Sequence, residues 1–214
     1  MYVHFEGLDL AGKTTVCRRF CQQAKGDWMT RHNALNSENP IGQLADELRR
    51  GGRYNDETIG WCYHAALLAD LETYQKPTVN TLQDSTILLR SLAYHTVSGT
   101  PRLVDSLLTL MGEHPRFDRS FVCVASKEIR LDRLKRRRPQ NLSPEDFIVR
   151  DDFGRFKAME DVLIDYAKRY FDAVIIDTSD LENEEGIKFD PVNPKTSLDY
   201  IFINLQDYFP ETVL

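Results

Sequence analysis

Apolar residues recur along most of the chain in two alternating rhythms. Short runs at residues 2–6, 28–35, 79–83, 121–125 and 173–176 read as buried strands. Helical spacings stand between them. Val16, Cys17, Phe20, Cys21 and Ala24 share one face and Arg18, Arg19, Gln22 and Gln23 the other, which predicts a helix over 12–25. Further helices are predicted over 40–50, stopped by Gly51-Gly52, and over 58–74, ending before Pro77. The turn Ser98-Gly99-Thr100-Pro101 separates two more, at 87–97 and 102–111. A basic helix over 127–138 and a last one over 162–170 follow, and the polar stretch 139–155 between them reads as a mobile loop. Strands alternating with helices predict an α/β three-layer sandwich, a parallel sheet of about five strands covered on both faces.

Residues 181–196 are acidic and contain proline, a linker by composition, and 198–209 have the spacing of one more amphipathic helix. The expected organisation is one domain over 1–180 followed by an appendage over 181–214, which a length of 214 residues accommodates. No apolar run approaches the roughly 18–20 residues that span a bilayer, so no membrane role is expected. The opening residues Met1-Tyr2-Val3-His4-Phe5-Glu6 lack a basic leader and an apolar signal core, and the expected location is cytoplasmic. Cys17, Cys21, Cys62 and Cys123 lack paired spacing and read as structural thiols.

Charge is concentrated rather than spread. The segment 127–138 holds seven Lys or Arg and two acids, a local +5, leaving −11 for the rest of a chain whose net charge is −6. One cationic segment on an acidic protein argues against a nucleic-acid polymer as partner and for a small anion.

The chemistry is written most clearly at residues 7–14, Gly-Leu-Asp-Leu-Ala-Gly-Lys-Thr, directly after the first strand and opening the first helix. This is a phosphate-binding loop, and the fold expected around it is of the P-loop NTPase type. Gly7 and Gly12 permit backbone angles and close approach that a Cβ forbids, so the amides of Gly7, Leu8, Asp9, Leu10, Ala11, Gly12, Lys13, Thr14 and Thr15 are candidates to hold the phosphates of ATP. Lys13 supplies a movable charge for the β- and γ-phosphates, and the Thr14 hydroxyl is a candidate ligand of Mg²⁺. No Asn-Lys-x-Asp guanine signature is present, and the strand before Asp84 is too polar for a motor-type ATPase, which leaves a small-molecule kinase.

The stretch Phe5-Glu6-Gly7-Leu8-Asp9-x-x-Gly12-Lys13-Thr14-Thr15 resembles the opening of thymidylate kinases. Pro40-Ile41-Gly42, Ser91-Leu92-Ala93-Tyr94, the basic helix over 131–138 and Asp177-Thr178-Ser179 are similar to further segments of that family, so the likeness spans about residues 1–179. The resemblance implies transfer of the ATP γ-phosphoryl to a nucleoside monophosphate, and possible pairing into a homodimer. It puts Asp9 beside the acceptor or the magnesium and makes Arg133, Arg136, Arg137 and Arg138 a lid over ATP within about 133–155. Lys13, Asp9, Arg137 and Arg138 are the expected catalytic groups, with Asp84 a second magnesium candidate.

The departures fall on the acceptor side. Asp84-Ser85-Thr86 stands where family members carry Asp-Arg-aromatic, and Arg90 is the candidate replacement. His64 takes the place of the phenylalanine that stacks on thymine, and Leu67-Leu68 that of an Asp-Arg pair. Arg90, Tyr94 and His64 are therefore the acceptor candidates, with His95 beside them. A kinase for another small molecule, or an ATP-binding protein without turnover, stays open on these residues.

Overall fold

The computed structural model describes residues 1–36, 38–138, 142 and 144–179. Five parallel strands form one sheet, β1 (Tyr2–Glu6), β2 (Met29–His32), β3 (Thr81–Asp84), β4 (Arg119–Val124) and β5 (Val174–Asp177), in the order β2-β3-β1-β4-β5. The helices are α1 (Lys13–Gln23), α2 (Pro40–Gly51), α3 (Asp56–Thr73), α4 (Ile87–Ser98), α5 (Pro101–Met111), α6 (Lys127–Arg136), α7 (Pro144–Asp151) and α8 (Phe153–Phe171).

Strand β1 is buried along its whole length, and its alternation divides the core. Val3 and Phe5 meet Val16, Cys17 and Phe20 of α1 on one face. On the other face α4, α5 and α8 pack a larger cluster that includes Leu88, Leu92, Leu103, Leu107, Phe156 and Leu163. The register sets Phe5 opposite Asp84 on one side and opposite Phe121 on the other, so the carboxyl ends of β1, β3 and β4 open onto a common crevice. That crevice is where open parallel sheets bind ligands.

Local chemistry fixes most helix starts. Asn39, Asn55 and Thr86 accept hydrogen bonds from amides three residues on, at Gly42, Thr58 and Leu89, and Pro40 takes the first position of α2. The loop expected over 139–155 is corrected: α7 occupies 144–151, and Asp152 caps α8 by accepting from the Arg155 amide at 3.1 Å. Val149, Phe153 and Phe156 pack against the core cluster and supply the reason, a narrow apolar strip within a charged segment. The helix expected over 198–209 and the linker at 181–196 lie outside the described residues. Among the described residues no helix is long and apolar enough to cross a membrane.

Candidate active site

The loop after β1 has the shape a phosphate cradle requires, its carbonyls drawn to one side. Gly7 adopts φ +149°, and a Cβ there would come within 2.6 Å of the Cys123 carbonyl oxygen, so only glycine fits. Gly12, at φ +77°, caps α1. Three successive carbonyls are then tied from outside. Asp9 O accepts from Arg130 Nη1, Leu10 O from Arg133 Nη1 at 2.8 Å, and Ala11 O from the Thr178 hydroxyl at 2.6 Å. Holding these oxygens outward leaves the first amides of α1 as the loop's inward face, a place that favours anions. Arg133, expected in the lid, is thus a brace, and Arg130 goes further. It is fully buried, binds Ala125 O at 3.0 Å and pairs with Glu160.

Below the loop lies Glu6, fully buried, with Oε1 accepting from the Gly7 amide and the Ser85 hydroxyl, and Oε2 from the Thr86 amide and hydroxyl. Ser85, where an arginine was expected from the family pattern, takes φ +68° and turns its side chain inward to this carboxylate. His4 is buried, with Nδ1 bonded to Ser120 Oγ at 2.8 Å and Nε2 3.5 Å from Glu6.

Charges converge beyond the loop. Lys13 pairs with Asp84, whose other oxygen lies 3.2 Å from Nδ1 of the largely exposed His32. Arg90 pairs with Asp9 at 3.2 Å. Burial pushes the Asp9 carboxyl up, but Arg90 first, then Arg137, Lys13 and Arg49, outweigh it and hold the group below the ordinary carboxylate range. Burial likewise opposes the charge on Arg90, while Asp9, Glu6 and Asp84 keep it cationic. Thr14 is exposed on the first turn of α1 and Thr15 is half-buried.

A cavity of about 640 Å³ opens beside this cluster between β2, α2, α3 and α4. Arg31, Arg49, Tyr54, Tyr63, Arg90 and Tyr94 are among its walls. His64, expected at the acceptor site, is not among the residues that line this cavity. Residues 56, 59, 60 and 63 form the cavity-facing stripe of α3, and His64 turns to α5, its Nε2 2.7 Å from Ser106 Oγ. Tyr63, one position earlier, is the α3 aromatic that faces the cavity, held by its hydroxyl's donation to Asp46 at 2.5 Å. Both oxygens of buried Asp146 in α7 hold Arg137, at 2.9 and 2.7 Å, and Arg138 is exposed just past α6. Arg136 forms a surface pair with Asp132, and Asp151 with Arg150.

The arrangement thus brings Asp9, Lys13, Asp84 and Arg90 together, with Tyr94 one turn beyond Arg90. Glu6, Arg49, Arg130 and Thr178 brace or charge this arrangement and were not among the candidates that spacing offered. Arg130 carried one signal, its place three residues before Arg133 on the same helical face.

Comparison with known proteins agrees with this architecture. A thymidylate kinase from Candida albicans superposes with a TM-score of 0.65 at 11% identity, covering 100% of this chain and 96% of its own. A deoxyadenosine kinase from M. mycoides, solved with bound dATP, gives 0.57 at 14% identity, with 97% and 100% covered. A thymidylate kinase from Ehrlichia chaffeensis gives 0.58 at 15%, with 96% and 95% covered. No curated protein matches by sequence. The thymidylate kinase family model matches residues 5–184, most of the length, and the chain belongs to that family of nucleotide kinases.

Proposed function

We infer that the protein transfers the γ-phosphoryl group of magnesium-bound ATP to a nucleoside monophosphate seated in the cavity between α2, α3 and α4. The observation that carries this reading is the junction of two sites at one point. The phosphate loop ends at Lys13, the cavity begins at Arg90, and Asp9 lies between them under the charge of both. Phosphoryl transfer asks for alignment and neutralisation of oxygens rather than covalent chemistry from the protein.

In this reading the amides that open α1 and Lys13 hold the donor phosphates, since the Gly7 and Ala11 amides are spent on Glu6 and the Leu8 carbonyl, and Arg90 with Asp9 positions the acceptor's phosphate. Arg137, whose charge already reaches Asp9, and exposed Arg138 give cationic cover from the α6 side. The Thr14 hydroxyl and the Asp84 carboxylate form an all-oxygen donor set, which suits magnesium, and an ion bound there would neutralise phosphate charge. Tyr63 and Tyr94 replace His64 as the side chains offered to the nucleoside. A cytoplasmic location, expected from the sequence, and self-association, implied by the family resemblance, belong to the same proposal, and size-exclusion chromatography with light scattering tests the second.

The direct test is ADP release from Mg-ATP across a panel of nucleoside monophosphates and nucleosides, with Lys13→Ala as the control. Turnover that requires a monophosphate supports the reading. A signal at the control level with every monophosphate overturns it.

A further inference from the structure

The cavity changes character along α4. Arg90, Ser91, Tyr94 and His95 line it at helical spacing, so Tyr94 and His95 stand about 6 Å farther from the phosphate loop than Arg90 does. The near end is cationic, with Arg49 and Arg90 in its wall. A phosphate seated there points its nucleoside toward the far end.

The far end presents hydrogen-bond acceptors. Asp56, the first residue of α3, lines it, and its Oδ2 accepts from the Tyr94 hydroxyl at 2.5 Å. That hydroxyl proton is therefore spent within the wall. His95 is 4% exposed. The Thr100 hydroxyl donates to the His95 carbonyl at 3.2 Å, so its oxygen accepts from His95 Nδ1 at 3.0 Å. This places the ring proton on Nδ1 and leaves Nε2 a bare acceptor. Nε2 rests against Gly60 of α3, another wall residue, where an added Cβ would come within 2.3 Å of it. Burial lowers the imidazole's pKa against the charges of Asp56 and Glu57, which keeps the ring neutral.

Neither leucine that replaces the family's Asp-Arg pair compensates. Leu67 is buried in the core and Leu68 is 44% exposed, and neither lines the cavity. Adenine and cytosine present an exocyclic amine on their edge, a donor, where thymine presents a carbonyl. A carbonyl set there meets the second Asp56 oxygen and the bare imidazole nitrogen with no donor among the three, a mismatch that costs affinity once the bound base covers Asp56, exposed in the free protein, from water.

We propose that Asp56 and His95 select the acceptor's base, favouring nucleoside monophosphates of adenine or cytosine over those of thymine or uracil. This rests on the nucleotide-kinase reading and deepens it.

The test is ADP release with Mg-ATP and dAMP, dCMP, dTMP or dUMP, for the native protein and for Asp56→Asn, which keeps shape and supplies a donor. The native enzyme is expected to show kcat/KM about tenfold higher for dAMP or dCMP than for dTMP or dUMP. Asp56→Asn should narrow that ratio about tenfold while the KM for ATP holds. The inference is overturned if dTMP or dUMP serves the native enzyme as well as the amine-bearing acceptors, or if the variant slows every acceptor by one factor. Turnover of any one monophosphate keeps the kinase reading and leaves the ranking to judge the inference; turnover of none removes both. Thermal shift with each monophosphate repeats the ranking without turnover, and melting of the unliganded variant checks its fold.

Discussion

Glu6→Gln keeps the shape of a buried side chain and removes its charge. The carboxylate accepts from the Gly7 amide at 3.0 Å and the Ser85 hydroxyl at 2.8 Å through one oxygen, and from the Thr86 amide at 2.9 Å and hydroxyl at 3.2 Å through the other. A carboxamide serves one pair and turns its own NH₂ against the other, so two donors lose their acceptor. Buried donors left unpaired cost about 1–3 kcal/mol each. Proton linkage gives a second route. Burial alone pushes the carboxyl up, but His4, Lys13 and Arg90 outweigh it and hold the pKa at about 2 against an ordinary 4.5. That difference corresponds to about 3 kcal/mol in favour of the charged form. Both routes meet near about 3 kcal/mol, or roughly 6–12 °C in melting temperature for a chain of this size.

Because the folded pKa lies below the unfolded one, this stability is complete above pH 4.5 and is lost as pH falls toward 2. Urea unfolding followed by circular dichroism should show a lower midpoint at unchanged slope in the variant at neutral pH, with the gap closing in acid. A loss under about 1 kcal/mol at neutral pH, or a gap that does not shrink in acid, refutes the reasoning.

Arg90→Ala leaves Asp9 without its closest cation and removes the proposed acceptor contact. The expected result is a fall of about 10²-fold in kcat/KM for the monophosphate with little change in the KM for ATP, and unchanged turnover would remove Arg90 from the site. Gly7→Ala sets a Cβ 2.6 Å from a backbone oxygen and should cost about 1–3 kcal/mol by thermal melt, with weakened nucleotide binding by calorimetry. Burial holds the His114 pKa at about 4 against 6.5, so its contribution is complete above pH 6.5 and fades as pH drops to 4. His114→Gln should therefore flatten the stability profile in that window by about 3 kcal/mol, measured by denaturant titration at several pH values.

The parts of the fold that local rhythm encodes were legible. The face formed by Val16, Phe20 and Ala24, the run at 121–125 and the glycine spacing at Gly7 and Gly12 each occupy a few neighbouring residues, and each predicts what the chain does. The stretch 139–155 was misread because Val149, Phe153 and Phe156 are few among many charges, although their spacing is helical. A motif match marks His64 but not which way it faces, because one residue on a helix turns a side chain by about 100°, and Tyr63 rather than His64 lines the cavity. The braces of the phosphate loop were illegible for another reason. Arg130 meets Asp9 across 121 residues and Thr178 meets Ala11 across 167, and no local spacing encodes such a meeting. Arg49 was hidden likewise, as one of two arginines closing α2, where a helix end attracts cations regardless of function.

The clamp on the phosphate loop bears on when the site comes into being. Every letter of the nucleotide signature emerges from the ribosome within the first fifteen residues, yet Arg130, Arg133 and Thr178 are made much later, the last of them just past β5. A nascent or truncated chain ending before residue 178 holds the signature without the last of its fastenings. The first segment synthesised is thus among the last to mature, and nucleotide capture during synthesis should report completion of the sheet rather than appearance of the motif.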